Sequence, residues 1–215
     1  MSRSISLNDA VAKIKDGMTV MIGGFLGNGT AETIVDALAN SDVKDLTVIA
    51  NDTAYPDKGV GKLITKRKIK KLIVSYIGFT PEATEQMNSG ELEIEFVPQG
   101  TLAERIRSAG FGLGGILTPT GLGTIVAEGK EIINVDGKDY LLEKPLRADV
   151  ALIGASVADE AGNLTYKGTS GNFNTVMATA ADTVICEAAE RVPAGAIDPV
   201  AVQTSGILVD YILEK

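Results

Sequence analysis

Four glycines crowd seven positions in the stretch DGMTVMIGGFLGNGTAE: Gly23, Gly24, Gly27 and Gly29 lie between a short apolar run and a helix-like pattern. A glycine loop between a strand and a helix can present backbone N–H groups to an anion, and the helix dipole favours negative charge at the same point. The same glycines can instead serve only a tight turn and close packing of helix on sheet. Two familiar nucleotide patterns are absent. No Gly-Lys-Ser/Thr follows the loop, and the spacing does not fit G-x-G-x-x-G, which argues against a nicotinamide or flavin site. A second candidate is Gln99 in FVPQGT. Its neutral amide follows a strand and precedes a helix, where parallel sheets bind ligands; a cap or turn contact is the competing reading.

The inventory of reactive groups is short. The chain has no histidine and one cysteine, Cys186. Ser-His-Asp and Cys-His nucleophilic systems are therefore excluded. A lone cysteine cannot supply the soft ligands of most zinc sites, so no metal site is expected. Acid–base or covalent chemistry must use a carboxylate, a lysine, a tyrosine or a group on another chain. Cys186, in DTVICEA, reads as a buried, inert thiol. The run KRKIKK, Lys66 to Lys71, reads as a solvated helix end, and Glu104 with Arg105 as a surface pair.

Composition narrows the partners. Twenty basic residues against 28 acidic ones give a net charge of -8 over 215 residues, so free nucleic acid, which needs a basic face, is not expected. Hydrophobic residues at 45% and charged residues at 22% describe an ordinary globular chain. No apolar run reaches membrane-spanning length and MSRSISLNDAV carries no signal-peptide core, so no membrane contact and a cytoplasmic location are expected.

The elements that must position these groups follow from periodicity. Ser6 is placed to cap a first helix carrying Val11 and Ile14, and Thr30 to cap the helix in TAETIVDALAN. TVMIG, LTVIA, KKLIVSY and LEIEFV read as strands; TPEATEQMNSG, with Pro81 in its first turn, and TLAERIRSAG read as helices. This alternation predicts a parallel sheet. Next come a glycine-rich loop over Gly110 to Thr124, a hairpin turning at Asp136-Gly137, and two buried strands, DVALIGASVAD and DTVICEA, with a helix in NFNTVMATAA between them. EAGNLTY holds another turn, and GILVDYILEK ends in a strand or helix. The predicted architecture is α/β: a single domain over residues 1–215 with a largely parallel mixed sheet flanked by helices.

Four blocks, DGMTVMIGGFLGNGT, VPQGTLAERIRSAGFGLGGILTPTGLGT, EKPLRADVALI and DEAGNLTY, together resemble the alpha subunits of family I coenzyme A transferases over essentially the whole chain. The resemblance implies a CoA-transferase-like α/β fold and assembly with a beta subunit, usually as an α2β2 heterotetramer. It places the nucleophile, a glutamate in a Ser-Glu-Asn-Gly motif, on that partner; the motif is absent here, so no catalytic residue is expected in this chain. Coenzyme A is implied as a co-substrate, with no permanently bound cofactor, and acyl-CoA and short-chain carboxylates as ligands. By the same resemblance Gly23, Gly24, Phe25, Leu26, Gly27, Asn28 and Gly29 form the CoA-associated loop, Gln99 stands at the mouth of the active site, and Asn51 lies near the same cleft. IANDTAYPDKGVG resembles the acetate, butyrate and acetoacetate enzymes. Two departures occur: Gly29-Thr30-Ala31 where the family has Gly-x-Pro, and Thr204-Ser205-Gly206 where it often has Thr-Pro-Gly. The alternative is a non-catalytic ligand sensor or a sugar-phosphate isomerase on a related fold.

Overall fold

Apolar residues on both faces of successive strands demand cover on both sides, and the computed structural model, which describes residues 3–214, supplies it. The first half runs β1 (Ser4–Ile5), α1 (Leu7–Ala12), β2 (Thr19–Ile22), α2 (Glu32–Ala39), β3 (Leu46–Asp52), α3 (Val60–Thr65), β4 (Ile69–Tyr76), α4 (Pro81–Ser89), β5 (Glu93–Phe96) and α5 (Gln99–Gly110). The second runs β6 (Ile116–Thr118), β7 (Ile132–Val135), β8 (Lys138–Glu143), β9 (Ala148–Asp159), β10 (Leu164–Thr165), α6 (Asn174–Met177), β11 (Ala181–Val192) and β12 (Tyr211–Leu213). Strands stand in the order β1-β12-β11-β9-β2-β3-β4-β5, all parallel, with the short β10 antiparallel to β9. The chain order reverses between β2 and β9. That is a topological switch point, beyond which strand ends diverge and leave room for a ligand.

Alternation along each strand feeds two cores. Val20, Ile22, Val48, Leu152 and Ile185 pack under α1 to α4. Met21, Ile49, Ile153, Val184 and Cys186 pack on the opposite face with Leu102 and Ile106 of α5 and Val176 and Met177 of α6. Cys186 is wholly buried, and burial pushes its thiol far above the usual range, in keeping with an inert role. Among the described residues no helix is long and apolar enough to cross a membrane.

Several local expectations change. Ser6 does cap α1, its Oγ accepting from Asp9 N at 3.1 Å. Thr30 does not cap α2: the N-cap is Ala31, which has no side chain able to accept. The loop after β3 contains a further helix, α3, and the basic run ends it at Lys66 before entering β4. Part of the glycine-rich stretch is strand β6, which joins the Asp136-Gly137 hairpin in a three-stranded antiparallel sheet. The helix in NFNTVMATAA is only four residues long. The tail forms β12; Lys215 lies outside the described residues.

Arg105 is not on the surface. It is 8% exposed, donates to Glu95 at 2.7 Å and to Lys144 O at 2.8 Å, and lies 3.7 Å from Glu143, which is 1% exposed and also pairs with Lys130. Glu104 pairs with Arg107 instead. Arg105 thus ties α5 to β5 and to β8 of the small sheet. Burial alone would raise the Glu95 pKa, but the hydrogen bond and charge of Arg105, helped by Lys71 and Lys130, hold it below the ordinary value. Arg105→Ala should cost about 3 kcal/mol in urea unfolding, because it leaves the buried Glu143 and the half-buried Glu95 short of a cation. Arg107→Ala, breaking an exposed pair, should cost under about 1 kcal/mol. A depressed carboxylate pKa gives stability that is present above the unfolded value and lost as pH falls through the folded one. Unfolding free energy should therefore drop below roughly pH 4.3 in the parent chain, and less steeply in Arg105→Ala.

Candidate functional site

In a parallel sheet every strand delivers its C-terminal end to the same edge. The loop after β2, Asn51 at the end of β3 and Gln99 at the start of α5 therefore share one edge. Neighbouring strands are about 4.8 Å apart, so Gln99, after β5, can reach across β4 to β3 with its side chain. It does so: Gln99 Nε2 donates to Asn51 Oδ1 at 2.7 Å. Ser75 of β4 donates to Asn51 O at 2.6 Å from below. Asn51 is 2% exposed, whereas Gln99 faces solvent.

The glycine loop is a miniature hairpin. Phe25 and Asn28 exchange backbone hydrogen bonds of 3.1 and 2.9 Å around Leu26 and Gly27. Both central residues have positive φ, 49° and 81°, as a type I′ turn requires. Glycine adopts that conformation freely, but for Leu26 it costs about 1–2 kcal/mol. Asp52 meets that cost: its carboxylate accepts from Leu26 N at 3.1 and 3.2 Å, from Ala54 N at 2.7 Å and from Asn51 Nδ2 at 2.6 Å. Asp52 is 7% exposed. A continuous relay therefore runs from Gln99 through Asn51 and Asp52 to the loop.

From the other side the loop rests on asparagines that precede and open α6. Asn172 accepts from Gly24 N at 3.1 Å and donates to Asn28 O at 2.9 Å. Asn174, wholly buried, accepts from Gly154 N at 3.0 Å and donates to Gly29 O and Ser170 O at 2.8 Å each. Gly23 must be glycine for that contact, since a Cβ there would lie 1.8 Å from Asn174 Oδ1. The N-terminus of α2, left without a side-chain cap, receives Glu187 from β11: Thr33 N donates at 2.9 Å, Ile34 N at 3.3 Å and Thr33 Oγ1 at 2.6 Å.

The anion-binding geometry read from the sequence is thus present, but the anions come from the chain itself. Asp52 occupies the turn and Glu187 the helix start. Within Gly23 to Gly29, the N–H groups of Gly27 and Gly29 have no hydrogen-bond partner among the described residues. Two cavities flank the loop. One of about 670 Å³ is lined by Gly29, Thr30, Thr33, Ser156, Ser170 and Glu187. One of about 290 Å³ is lined by Phe25, Gln99, Arg107, Asn172 and Phe173. The second meets both the loop and Gln99, and it alone of the two has a cation on its wall. The sequence reading missed Asp52, Asn172, Asn174 and Glu187. Each left a trace: a carboxylate at a strand end beside Asn51, two polar residues bracketing Phe173, and an acid alternating with apolar residues along β11.

Residues 4–215 match the family described as Coenzyme A transferase. The acetoacetyl-CoA:acetate/butyrate CoA transferase alpha subunit of Clostridium acetobutylicum is 51% identical over 214 residues, covering 100% of this chain and 98% of that protein. The acetate CoA-transferase subunit alpha of Escherichia coli K12 is 50% identical over 212 residues, covering 99% and 96%. Among solved structures, an acyl-CoA transferase from E. coli O157:H7, in a thioester complex with CoA, superposes with a TM-score of 0.89 at 23% identity. All of this chain is covered but only 47% of that one, so the chain spans about half the solved polypeptide, and the likeness is one of fold.

Two substitutions separate the supports of the loop. Asn174→Ala strands one buried N–H and two carbonyls and should lower the unfolding free energy by about 3 kcal/mol in urea titration. Glu187→Gln keeps the shape of the α2 cap but removes its charge from the helix dipole, and should cost about 1 kcal/mol, with the loss shrinking at high salt.

Proposed function

This chain belongs to the coenzyme A transferase family, and we propose that it is the alpha subunit of an enzyme moving CoA between a short-chain acyl-CoA (acetyl-, butyryl- or acetoacetyl-CoA) and a free carboxylic acid. Coenzyme A is a co-substrate in this reading, not a resident group, and the setting is cytoplasmic. The observation that carries the reading is the meeting of the glycine loop, Asn51 and Gln99 on one sheet edge beside a cavity with Arg107 on its wall. Such a wall binds and orients an acyl group but holds no activated nucleophile.

The nucleophile in this reading is a glutamate in a Ser-Glu-Asn-Gly motif of a beta subunit, in an α2β2 assembly. Its carboxylate attacks the thioester carbon of acyl-CoA. The tetrahedral intermediate collapses to an acyl-glutamyl anhydride and expels CoA thiolate. The thiolate returns to the glutamyl carbonyl, releasing the first carboxylate and leaving a glutamyl-CoA thioester. A second carboxylate runs the steps in reverse, so one thioester is exchanged for another without ATP. Each tetrahedral oxyanion gains from donors already in place, about 3 kcal/mol for a single one. In this reading the unpaired N–H groups of Gly27 and Gly29 are the donors this chain lends. Thiolate is a good leaving group, so the lack of histidine is no obstacle.

The test is co-expression with a beta-type chain carrying Ser-Glu-Asn-Gly, followed by an assay of acetyl-CoA formed from butyryl-CoA and acetate. Activity should require both chains, and Gln99→Ala should slow CoA transfer, lowering kcat/KM for butyryl-CoA by about tenfold. Transfer by the purified single chain would overturn the division of labour. Full turnover in Gln99→Ala would remove that residue from the site.

A further inference from the structure

We propose that Asp52 is a positioning residue whose carboxylate dictates which atom of the Gln99 amide a ligand meets. A carboxylate only accepts hydrogen bonds, so Asn51 must turn its Nδ2 toward Asp52, where it donates at 2.6 Å. Asn51 Oδ1 is then forced the other way. It receives Gln99 Nε2 at 2.7 Å and lies 3.3 Å from Ser75 Oγ. Gln99 must therefore spend one N–H inward and leave Oε1, which has no hydrogen-bond partner among the described residues, on the solvent side. One negative charge at position 52 thus sets the sense of two successive amides.

Consequences for recognition follow, and they rest on the coenzyme A reading above. Gln99 offers a ligand one carbonyl oxygen and at most one N–H. A secondary amide, with one donor and one acceptor, complements that pair, and the pantetheine arm of CoA carries such amides. A free carboxylate, with acceptors only, meets repulsion from Oε1. In this assignment Gln99 recognises the CoA arm and not the charged end of the acid substrate.

Asp52→Asn keeps the size of the side chain and reverses the relay, at the loss of one of the two oxygens shared by Leu26 N. Oδ1 at position 52 accepts from Ala54 N at 2.7 Å and Leu26 N at 3.2 Å and must remain oxygen, while Oδ2, which shares Leu26 N at 3.1 Å, gives up that contact when it becomes NH2. The atom facing Asn51 becomes NH2, Asn51 turns its Oδ1 toward it, and Gln99 turns Oε1 inward and NH2 outward. Neutron diffraction on crystals of the full chain reads these orientations directly, since it locates deuterons. The expected result is Gln99 Nε2 toward Asn51 in the parent and Oε1 toward Asn51 in Asp52→Asn. Oε1 inward in the parent, or Nε2 inward in both, overturns the proposal. The parent alone decides this orientation even where the variant does not fold. In the assembled enzyme, Asp52→Asn should raise KM for butyryl-CoA about tenfold, the effect of one mispaired hydrogen bond, while KM for acetate stays the same or falls. Equal rises in both, or a fall in kcat alone, would refute the ligand assignment. A parent complex with no CoA transfer would defeat the functional reading while leaving the neutron result to judge the relay.

Discussion

A backbone N–H or C=O that leaves water must find another partner, and the loop after β2 depends on that rule at almost every residue. Among the described residues its only internal strand pairing is the Phe25–Asn28 bridge, and one of its residues, Leu26, stands in a conformation that side chains disfavour. Asp52 supplies missing partners from the end of β3, and Asn172 and Asn174 from around the start of α6. Asn174 matters most, because it is wholly buried and joins β9, the loop and the segment before α6 through both ends of one amide. The glycine at position 23 exists to let that amide approach. Rigidity at the site is therefore a tertiary property, produced where elements far apart in sequence converge.

The same supports decide the electrostatics. A strand–loop–helix unit concentrates positive potential, and in many proteins a bound phosphate neutralises it. Here two carboxylates of the chain, Asp52 and Glu187, occupy those positions. What the loop leaves unpaired is neutral, the N–H groups of Gly27 and Gly29, and the glutamine amide with Arg107 lines a separate cavity against Phe25. In the function proposed above, such donors suit an oxyanion whose charge appears only transiently better than they suit a permanent dianion. It also agrees with a net charge of -8, since nothing about the site asks for a basic face.

Away from the site, Arg105 links the main sheet to the small antiparallel one. Its guanidinium gathers Glu95, Glu143 and the Lys144 carbonyl, and so joins the middle of the Gln99 helix to β5 and β8. Gln99 is the first residue of that helix and Arg105 lies on its buried side, so the network that anchors the small sheet also holds the helix bearing the amide.

Much of this was legible in the residues. Alternating apolar runs and helical periods define the parallel α/β sheet, because burial on both faces leaves continuous hydrophobic strands. Ser6, Pro81 and Asp136-Gly137 mark their caps and turns through local chemistry alone. The four quoted blocks suffice to place the chain in its family, and the lack of histidine limits the chemistry before any coordinates are known. Gln99 stands out because it follows a strand, and parallel strands deliver their ends to one edge; Asn51 is indicated only by the family resemblance. Other features needed the fold. Thr30 is a good cap by type, yet Glu187, more than 150 residues away, does the work. Arg105 reads as a surface charge until β8 packs against it. Asp52 is marked only as a carboxylate at a strand end; its role is defined by which donors surround it. Sequence determines what can be read from a residue and its near neighbours; the hydrogen-bond partners of a buried polar group are chosen by the packing of distant segments, and only the tertiary structure contains that choice.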